Sequence, residues 1–194
     1  FGLYYIMDPK LVEMKLVESN EVGKAEYDGY IRNGLMLQLR RLKPGENIEQ
    51  AHMRNRAFIS HWVYEKGLSD NVIEKKIIEN KTYFTINDYN ALRALFGLLL
   101  KELQRIKSQG DYKAARDLVE KYGVNVNRSL HKEVLKRSES LNIAPYAGFM
   151  NPKYEIITDT NGEISDIQIT YPDNFVDQML HYDESYSFLP SMNN

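Results

Sequence analysis

Apolar residues recur at helical spacing along most of the chain and predict a mainly α fold. The pattern is clearest over residues 89–108, where apolar side chains return every three or four positions after the start signal Asn87-Asp88. Start and stop residues such as Asp8-Pro9 and Pro44-Gly45 divide the rest into further helices. These helices are predicted over 10–17, 21–42, 47–66, 70–80, 112–122, 128–140 and 173–183.

The pattern changes to strict alternation near the C-terminal end. Residues 154–158 and 164–171 alternate on either side of the turn sequence Asp159-Thr160-Asn161-Gly162, which predicts one small β-hairpin. Thr82–Ile86 has β-rich composition but is short, so we expect a lone extended segment there. The expected architecture is a helical bundle-like part over 1–142, with the loop, hairpin and terminal helix of 143–194 packed on it in one domain.

Composition narrows the class of protein. The chain has 194 residues with 43% hydrophobic and 27% charged residues, which is typical of a globular domain. A net charge of −2 argues against a nucleic-acid partner, and the basic residues of 40–56 are interspersed with glutamates, as on a solvated mixed face. No apolar run is long enough to predict a membrane span. Because cysteine is absent, thiol chemistry is excluded, and a reducing compartment is compatible with the composition. The expected location is cytoplasmic, although any targeting signal would lie in the missing N-terminal part.

His52 and Arg56 are the most informative candidate functional residues. They lie four positions apart in the helix predicted over 47–66, so they project from nearly the same face. An imidazole beside a guanidinium is suited to holding a developing oxyanion or a peptide carbonyl. The structural alternative for the same pair is a partnership in a buried salt bridge.

The other histidines and the tyrosines favour structural roles. His61 is expected to be a hydrogen-bonded core or boundary residue, His131 to be exposed in the first turn of a helix, and His181 to be structural. Helical tyrosines such as Tyr27 and Tyr30 are expected to pack their rings and leave the hydroxyl in water.

Several common catalytic motifs are absent from the sequence. It contains no Gly-x-Ser-x-Gly turn, no phosphate-binding glycine loop and no His-Glu-x-x-His helix, so no metal site is predicted from this chain alone. Two hypotheses therefore stay open: part of an enzyme site, or a non-catalytic helical interaction module.

The stretch Ala51-His52-Met53-Arg54-Asn55-Arg56 resembles the Ala-His-Met-x-x-Arg motif of dipeptidyl peptidase III, a family of zinc-dependent exopeptidases. The resemblance extends along essentially the whole chain, and the chain is similar to the bacterial branch of the family. It is carried by further segments: Phe1–Tyr5, Asp8–Val12, Asn33–Met36, Leu95–Gly97, Asn142–Tyr146, and Tyr182 with Tyr186–Pro190.

The resemblance implies a C-terminal segment of the catalytic lobe of an enzyme that releases dipeptides from oligopeptides. In that family a His-Glu-x-x-Gly-His hexapeptide and a Glu-Glu-x-Arg-Ala-(Glu/Asp) motif hold the zinc, and both lie before the position matching Phe1. The chain is then expected to lack the metal and to be inactive without the missing N-terminal part. His52 is assigned to transition-state stabilisation and Arg56 to substrate binding.

Two further features of the sequence bear on this interpretation. The apolar beginning, Phe1–Met7, is typical of an interrupted helix and favours a fragment of a longer protein. Animal members of the family have a basic pair where this chain has Glu139-Ser140, so peptide contacts made by that pair are not expected here.

Overall fold

The computed structural model describes residues 1–142 and 149–190. Within them the chain is mainly α-helical and has a small antiparallel hairpin near its C-terminal end, which confirms the predicted fold class. The chain divides into two compact units, Phe1–Ile143 and Ala144–Asn194. That residues 143–194 pack on the helical part stays a prediction.

The first unit contains seven α-helices within its described residues. Those predicted over 89–108 and 128–140 are confirmed. A 3-10 turn, Leu37–Arg41, follows the third helix, and a π turn, Glu120–Val124, follows the sixth. The helices are α1 (Gly2–Tyr5), α2 (Pro9–Glu13), α3 (Asn20–Leu35), α4 (Ala51–Lys66), α5 (Tyr89–Gln109), α6 (Tyr112–Val119) and α7 (Arg128–Ser140).

Two predicted helices end earlier than their apolar pattern indicated. The Asp8 carboxylate caps α2 through the Lys10 amide, as its sequence predicts, but the helix stops at Glu13 because Lys15 takes a left-handed conformation with φ 57°. The single helix predicted over 21–42 is interrupted at Met36, whose φ is −141°. The chain then turns sharply, which lets Leu39 enter a second apolar cluster instead of continuing the face of α3.

The prediction of a helix over 70–80 is wrong. Those residues form β1 (Ile73–Ile78), which pairs with β2 (Lys81–Ile86) in an antiparallel hairpin. The segment predicted to be a lone extended one therefore has a partner. Glu79 and Asn80 both have positive φ and make a two-residue turn between the strands. Pairing and burial of Ile73 outweigh the local helical tendency of the charged residues that follow it.

One buried residue of this hairpin is tied to α7 by a carboxylate and a guanidinium. Glu133 accepts hydrogen bonds from the Thr82 amide and the Thr82 hydroxyl, both at 2.7 Å. Arg137 donates to the Thr82 carbonyl at 2.8 Å and to Glu133 at 3.1 Å. The backbone N–H and C=O of one strand residue are thus both satisfied by side chains from a helix, which fixes the hairpin against α7.

Two apolar clusters meet along α4. The larger is formed mainly by α3, the C-terminal half of α4, the β1–β2 hairpin and α5: Met7, Tyr27, Ile31, Leu35, Phe58, Trp62, Val63, Val72, Ile73, Ile86, Leu92, Phe96, Leu99 and Tyr122. The smaller surrounds the N-terminal half of α4: Met36, Leu39, Ile48, Met53, Ala57, Leu130 and Val134. The helix with the candidate residues is therefore held by different partners at its two ends.

The second unit contains the predicted hairpin and terminal helix, as β3 (Lys153–Thr158), β4 (Ile164–Thr170) and α8 (Phe175–Tyr186). Gly162 takes the left-handed conformation in the turn, and Asn174, not Asp173, caps α8. The loop predicted over 143–153 lies partly outside the described residues. One face of the hairpin presents four exposed apolar side chains: Tyr154, Ile156, Ile167 and Ile169.

Among the helices described in both ranges, none combines the length and the apolar character needed to cross a membrane.

Glu133→Gln is expected to lower the free energy of unfolding by about 1–3 kcal/mol, because the amide replaces a charged acceptor of three hydrogen bonds. Urea denaturation measures the change. Glu139→Gln is the matched control, since it makes the same charge change at an exposed position of the same helix.

The contribution of Glu133 to the free energy of unfolding is also expected to depend on pH. Burial raises the pKa of Glu133, but the hydrogen bonds from Thr82 and Arg137 outweigh burial and hold it below its ordinary value of 4.5. The carboxylate therefore contributes stability that is present above pH 4.5 and is lost as pH falls through the lower folded-state pKa. A pH slope in that window that is unchanged in Glu133→Gln would contradict this account.

Candidate functional site

The N-terminal end of α4 is fixed by its own residues and by the preceding loop. Gln50 accepts a hydrogen bond from the Met53 amide, so the helix begins at Ala51 and not at 47. Arg54 Nε donates to the Ile48 carbonyl at 2.8 Å, and the Ile48 amide donates to the Val124 carbonyl. These contacts give the first turns of α4 a defined position.

His52 and Arg56 lie one turn apart on this fixed segment. The side chain of His52 is exposed, as expected for a residue that faces a ligand, and Arg56 is partly exposed. Neither makes a hydrogen bond or an ion pair with any described residue. The interpretation of the pair as partners in a buried salt bridge is therefore wrong.

This segment of α4 is also held by α3. Gln38, just beyond α3, is buried, and its Nε2 donates to the Gly34 carbonyl at 3.1 Å and to the Met53 carbonyl at 3.2 Å. Gly34 lies so close to α4 that a Cβ atom there would stand 2.6 Å from the Arg56 carbonyl oxygen and would overlap the Ser60 side chain. The two helices thus cross in close contact at the turns of α4 that carry Arg56 and Ser60.

Three buried polar side-chain atoms have no hydrogen-bond partner among the described residues: Gln38 Oε1 and Ser60 Oγ at this crossing, and Tyr30 Oη in α3. The prediction that the hydroxyls of Tyr27 and Tyr30 lie in water is therefore wrong. Tyr27 is fully buried and donates to the Leu3 carbonyl at 2.6 Å. Burial raises the pKa of both tyrosines to about 12.

The residues at the crossing, Gly34, Gln38 and Ser60, could not be identified from the sequence. A glycine within a helical pattern signals either a weak helix or a close approach, and Gly34 is the second case. Gln38 and Ser60 gave no signal, because one polar residue in an amphipathic helix is expected to face water.

An open hollow of about 300 Å³ lies beside the start of α4. Its lining includes both charge signs, which agrees with the mixed face expected for this region and gives no selectivity for anions. The lining residues are Arg41, Leu42, Glu46, Asn47, Glu49, Gln50 and Met53.

The remaining histidines differ from one another. His61 is a hydrogen-bonded boundary residue as predicted, with Nδ1 3.1 Å from the Tyr122 carbonyl oxygen. His131, predicted to be exposed, is buried, and its Nε2 lies 3.1 Å from the Leu42 carbonyl oxygen, because α7 packs on the smaller cluster. His181 lies 3.4 Å from the Ser185 hydroxyl in α8.

The last turn of α7 carries Glu139 and Ser140. Glu139 is exposed, and the Ser140 hydroxyl donates to the Arg137 carbonyl at 2.9 Å within its own helix. The segment expected to follow them, from Ile143, lies outside the described residues.

Within residues 1–142 and 149–190, no three acidic, histidine or cysteine side chains are grouped in a way that would hold a metal ion. The candidate site therefore consists of the His52 imidazole and the permanently charged Arg56 guanidinium, both of which can donate hydrogen bonds.

No known protein family model matches the chain, and no curated protein is significantly similar to it.

Gly34→Ala is expected to destabilise the protein by about 1–3 kcal/mol, because the added methyl group overlaps Ser60 and the α4 backbone. Gly29→Ala in the same helix is the matched control. Its Cβ would have nothing within 4 Å, so better helix propensity should stabilise the protein by up to about 1 kcal/mol. Thermal or urea unfolding of both variants measures this. Equal effects at the two glycines would contradict the close crossing.

His61 should titrate below its ordinary pKa of 6.5. Burial lowers the pKa of His61, and the hydrogen bonds to the Tyr122 and Ala57 backbone only partly oppose it. The unfolded chain then binds more protons below pH 6.5, so stability falls as pH drops from there toward the folded-state pKa. NMR titration of His61, and loss of this slope in His61→Gln, check the sign. A His61 pKa at or above 6.5 would contradict it.

Proposed function

We propose that this chain is the C-terminal segment of the catalytic lobe of a zinc-dependent dipeptidyl peptidase. The observation that carries the proposal is the presentation of His52 and Arg56, exposed and partly exposed, on a helix segment that contacts with α3 hold in place. The resemblance of Ala51–Arg56 to the Ala-His-Met-x-x-Arg motif of the dipeptidyl peptidase III family supports the same assignment. An oligopeptide is then the substrate, and the N-terminal part of the same protein is the partner that completes the site.

His52 is suited to one step of peptide hydrolysis. Negative charge builds on the carbonyl oxygen of the scissile bond, and a donor placed near that oxygen stabilises the transition state more than the ground state. An exposed imidazole with no partner among the described residues is free to make this bond. His52 is therefore the transition-state stabilising residue of the proposal.

Arg56 is suited to holding the substrate. Its guanidinium has no acidic partner among the described residues, so its donors are available to a peptide carbonyl or carboxylate. One turn separates it from His52, which allows both residues to reach the same bound peptide.

The described residues of this chain do not supply a zinc site. Under the proposal the metal is bound by motifs that precede the position of Phe1, and the isolated chain has no peptidase activity. A cytoplasmic location is part of the same proposal, and the cysteine-free sequence is compatible with it.

The gene sequence upstream of Phe1 gives the first test. A His-Glu-x-x-Gly-His hexapeptide within about a hundred residues of that position supports the peptidase. Its absence, or tight stoichiometric zinc binding by the isolated chain in calorimetry, would contradict it.

In the zinc-loaded full-length enzyme, His52→Ala is expected to lower kcat about 100-fold with little change in KM, because one oxyanion donor is removed. Steady-state hydrolysis of a dipeptidyl chromogenic substrate measures both constants. His181→Ala is the control, since His181 lies in the second unit and pairs with Ser185. A His52→Ala enzyme with normal kcat would remove His52 from the mechanism.

A non-catalytic interaction module is the second candidate. The exposed apolar face of the β3–β4 hairpin favours it, because a two-stranded hairpin with four uncovered apolar side chains is marginal in water. The hairpin and its turn carry Glu155, Asp159, Glu163 and Asp166 against a single Lys153, and this net negative charge favours a basic partner. Lack of the zinc hexapeptide upstream would favour this candidate.

A further inference from the structure

Another open hollow is lined by residues of α6, the π turn and the first half of α4. Its volume is about 510 Å³. It lies on the side of α4 away from His52, because Arg54 lines it and a helix turns by about 200° over two residues. The side chains that matter for binding are Arg54, Tyr112, Arg116, Val119, Glu120 and Val124.

One wall of this hollow is an uncovered apolar stripe on α6. Tyr112, Ala115 and Val119 lie at positions i, i+3 and i+7, so their side chains share one face of the helix. Tyr112 is 75% exposed and Val119 is 39% exposed. Single exposed apolar residues are normal on a protein surface, but an apolar stripe along a hollow with polar residues at its border is typical of an interaction site.

Two guanidinium groups border the stripe. Arg54 Nε donates to the Ile48 carbonyl at 2.8 Å, which orients the side chain, and neither Nη atom of Arg54 has a partner among the residues that the structure describes. The Arg116 guanidinium lies 3.6 Å from the carboxylates of Asp117 and Glu120, which is too far for a hydrogen bond. Both arginines therefore have donors available to an anion in the hollow.

The π turn brings the stripe and Arg54 to the same hollow. Gly123 packs so closely on α4 that a Cβ atom there would stand 3.3 Å from the Arg54 carbonyl oxygen. The Val124 carbonyl accepts a hydrogen bond from the Ile48 amide, and the Ile48 carbonyl accepts one from Arg54. π turns are rare and occur frequently at functional sites. This one determines where α6 lies against Arg54.

We propose that this hollow binds a short acidic segment of a partner protein. Its lining has two arginines and one glutamate, so the net charge of +1 complements a single carboxylate better than a phosphate dianion. The apolar stripe favours apolar side chains beside that carboxylate. Its length of about 10 Å corresponds to about three residues of extended chain. An acidic residue between two leucine-like residues fits both requirements, and the proposal does not rest on the peptidase function.

The test uses the full chain and the blocked peptide acetyl-Leu-Glu-Leu-amide. NMR follows the Arg116 Nε–Hε group and the Tyr112 ring, whose signals are assigned by their loss in Arg116→Gln and Tyr112→Phe. Both signals should shift in a saturable way. The matched peptide acetyl-Leu-Gln-Leu-amide should bind about tenfold more weakly, because it lacks the carboxylate. Equal affinity of the two peptides, or no saturable shift up to the solubility limit, would overturn the proposal.

A charge variant places the carboxylate in this hollow. Arg116→Gln should weaken binding of the glutamate peptide about tenfold, because one guanidinium is removed. Arg32→Gln is the matched control, since Arg32 is an exposed arginine of α3 and is not part of the lining. Wild-type affinity in Arg116→Gln would overturn the assignment. The comparison of the two peptides on the wild type decides the same question without any variant.

Inorganic phosphate is the competing occupant. If phosphate shifts the same signals with an affinity equal to or higher than that of the glutamate peptide, the hollow is a small-anion site and the proposal falls. Added sodium chloride should weaken the glutamate peptide more than the glutamine peptide, because salt screens the attraction between exposed charges. An equal salt dependence of the two peptides would contradict the charge complementarity.

Discussion

The close crossing of α3 and α4 is the constraint on which the rest of the first unit depends. Gly34 allows backbone contact with the turn of α4 that carries Arg56, and Ser60 is completely buried in the same contact. Small residues at a crossing allow the helix axes to approach closely, and a larger residue at either position would force them apart. Because both apolar clusters touch α4, that separation would disturb the core as well as the candidate site.

Where helices are long and strongly periodic, the sequence was sufficient to predict the fold. The run from Tyr89 to Gln109 has a clear apolar stripe, the Asp88 cap and the terminating Gly110, and it was predicted nearly to the residue. The hairpin over 73–86 was missed because its turn is Glu79-Asn80, and glutamate is an uncommon residue for positive φ. The break at Met36 was missed because the side chain that accompanies it, Gln38, is bound to a helix fifteen residues away.

The candidate site could be predicted from the sequence only where its residues are related by local helical geometry. His52 and Arg56 share a face by local helical geometry alone, so their relation follows from four residues of spacing. The positions of the residues that hold the helix do not follow from local spacing, because Gly34 and Gln38 contact α4 only through the tertiary structure. His131 shows the same limit, since its burial is determined by where α7 packs and not by its place in the first turn. The chemistry of a site is therefore easier to predict than the structure that supports it.

The division of α4 between two apolar clusters has a consequence for how the protein opens. Met53 and Ala57 belong to the smaller cluster, whereas Phe58, Trp62 and Val63 belong to the larger one. Regions with fewer apolar contacts unfold locally at lower free energy than the main core. The turns with His52 and Arg56 are therefore expected to open at a lower free energy, with their amides exchanging with solvent before those of the C-terminal half of the same helix. A helix that is continuous in shape is then expected to behave as two segments in stability, with the boundary just after the candidate pair.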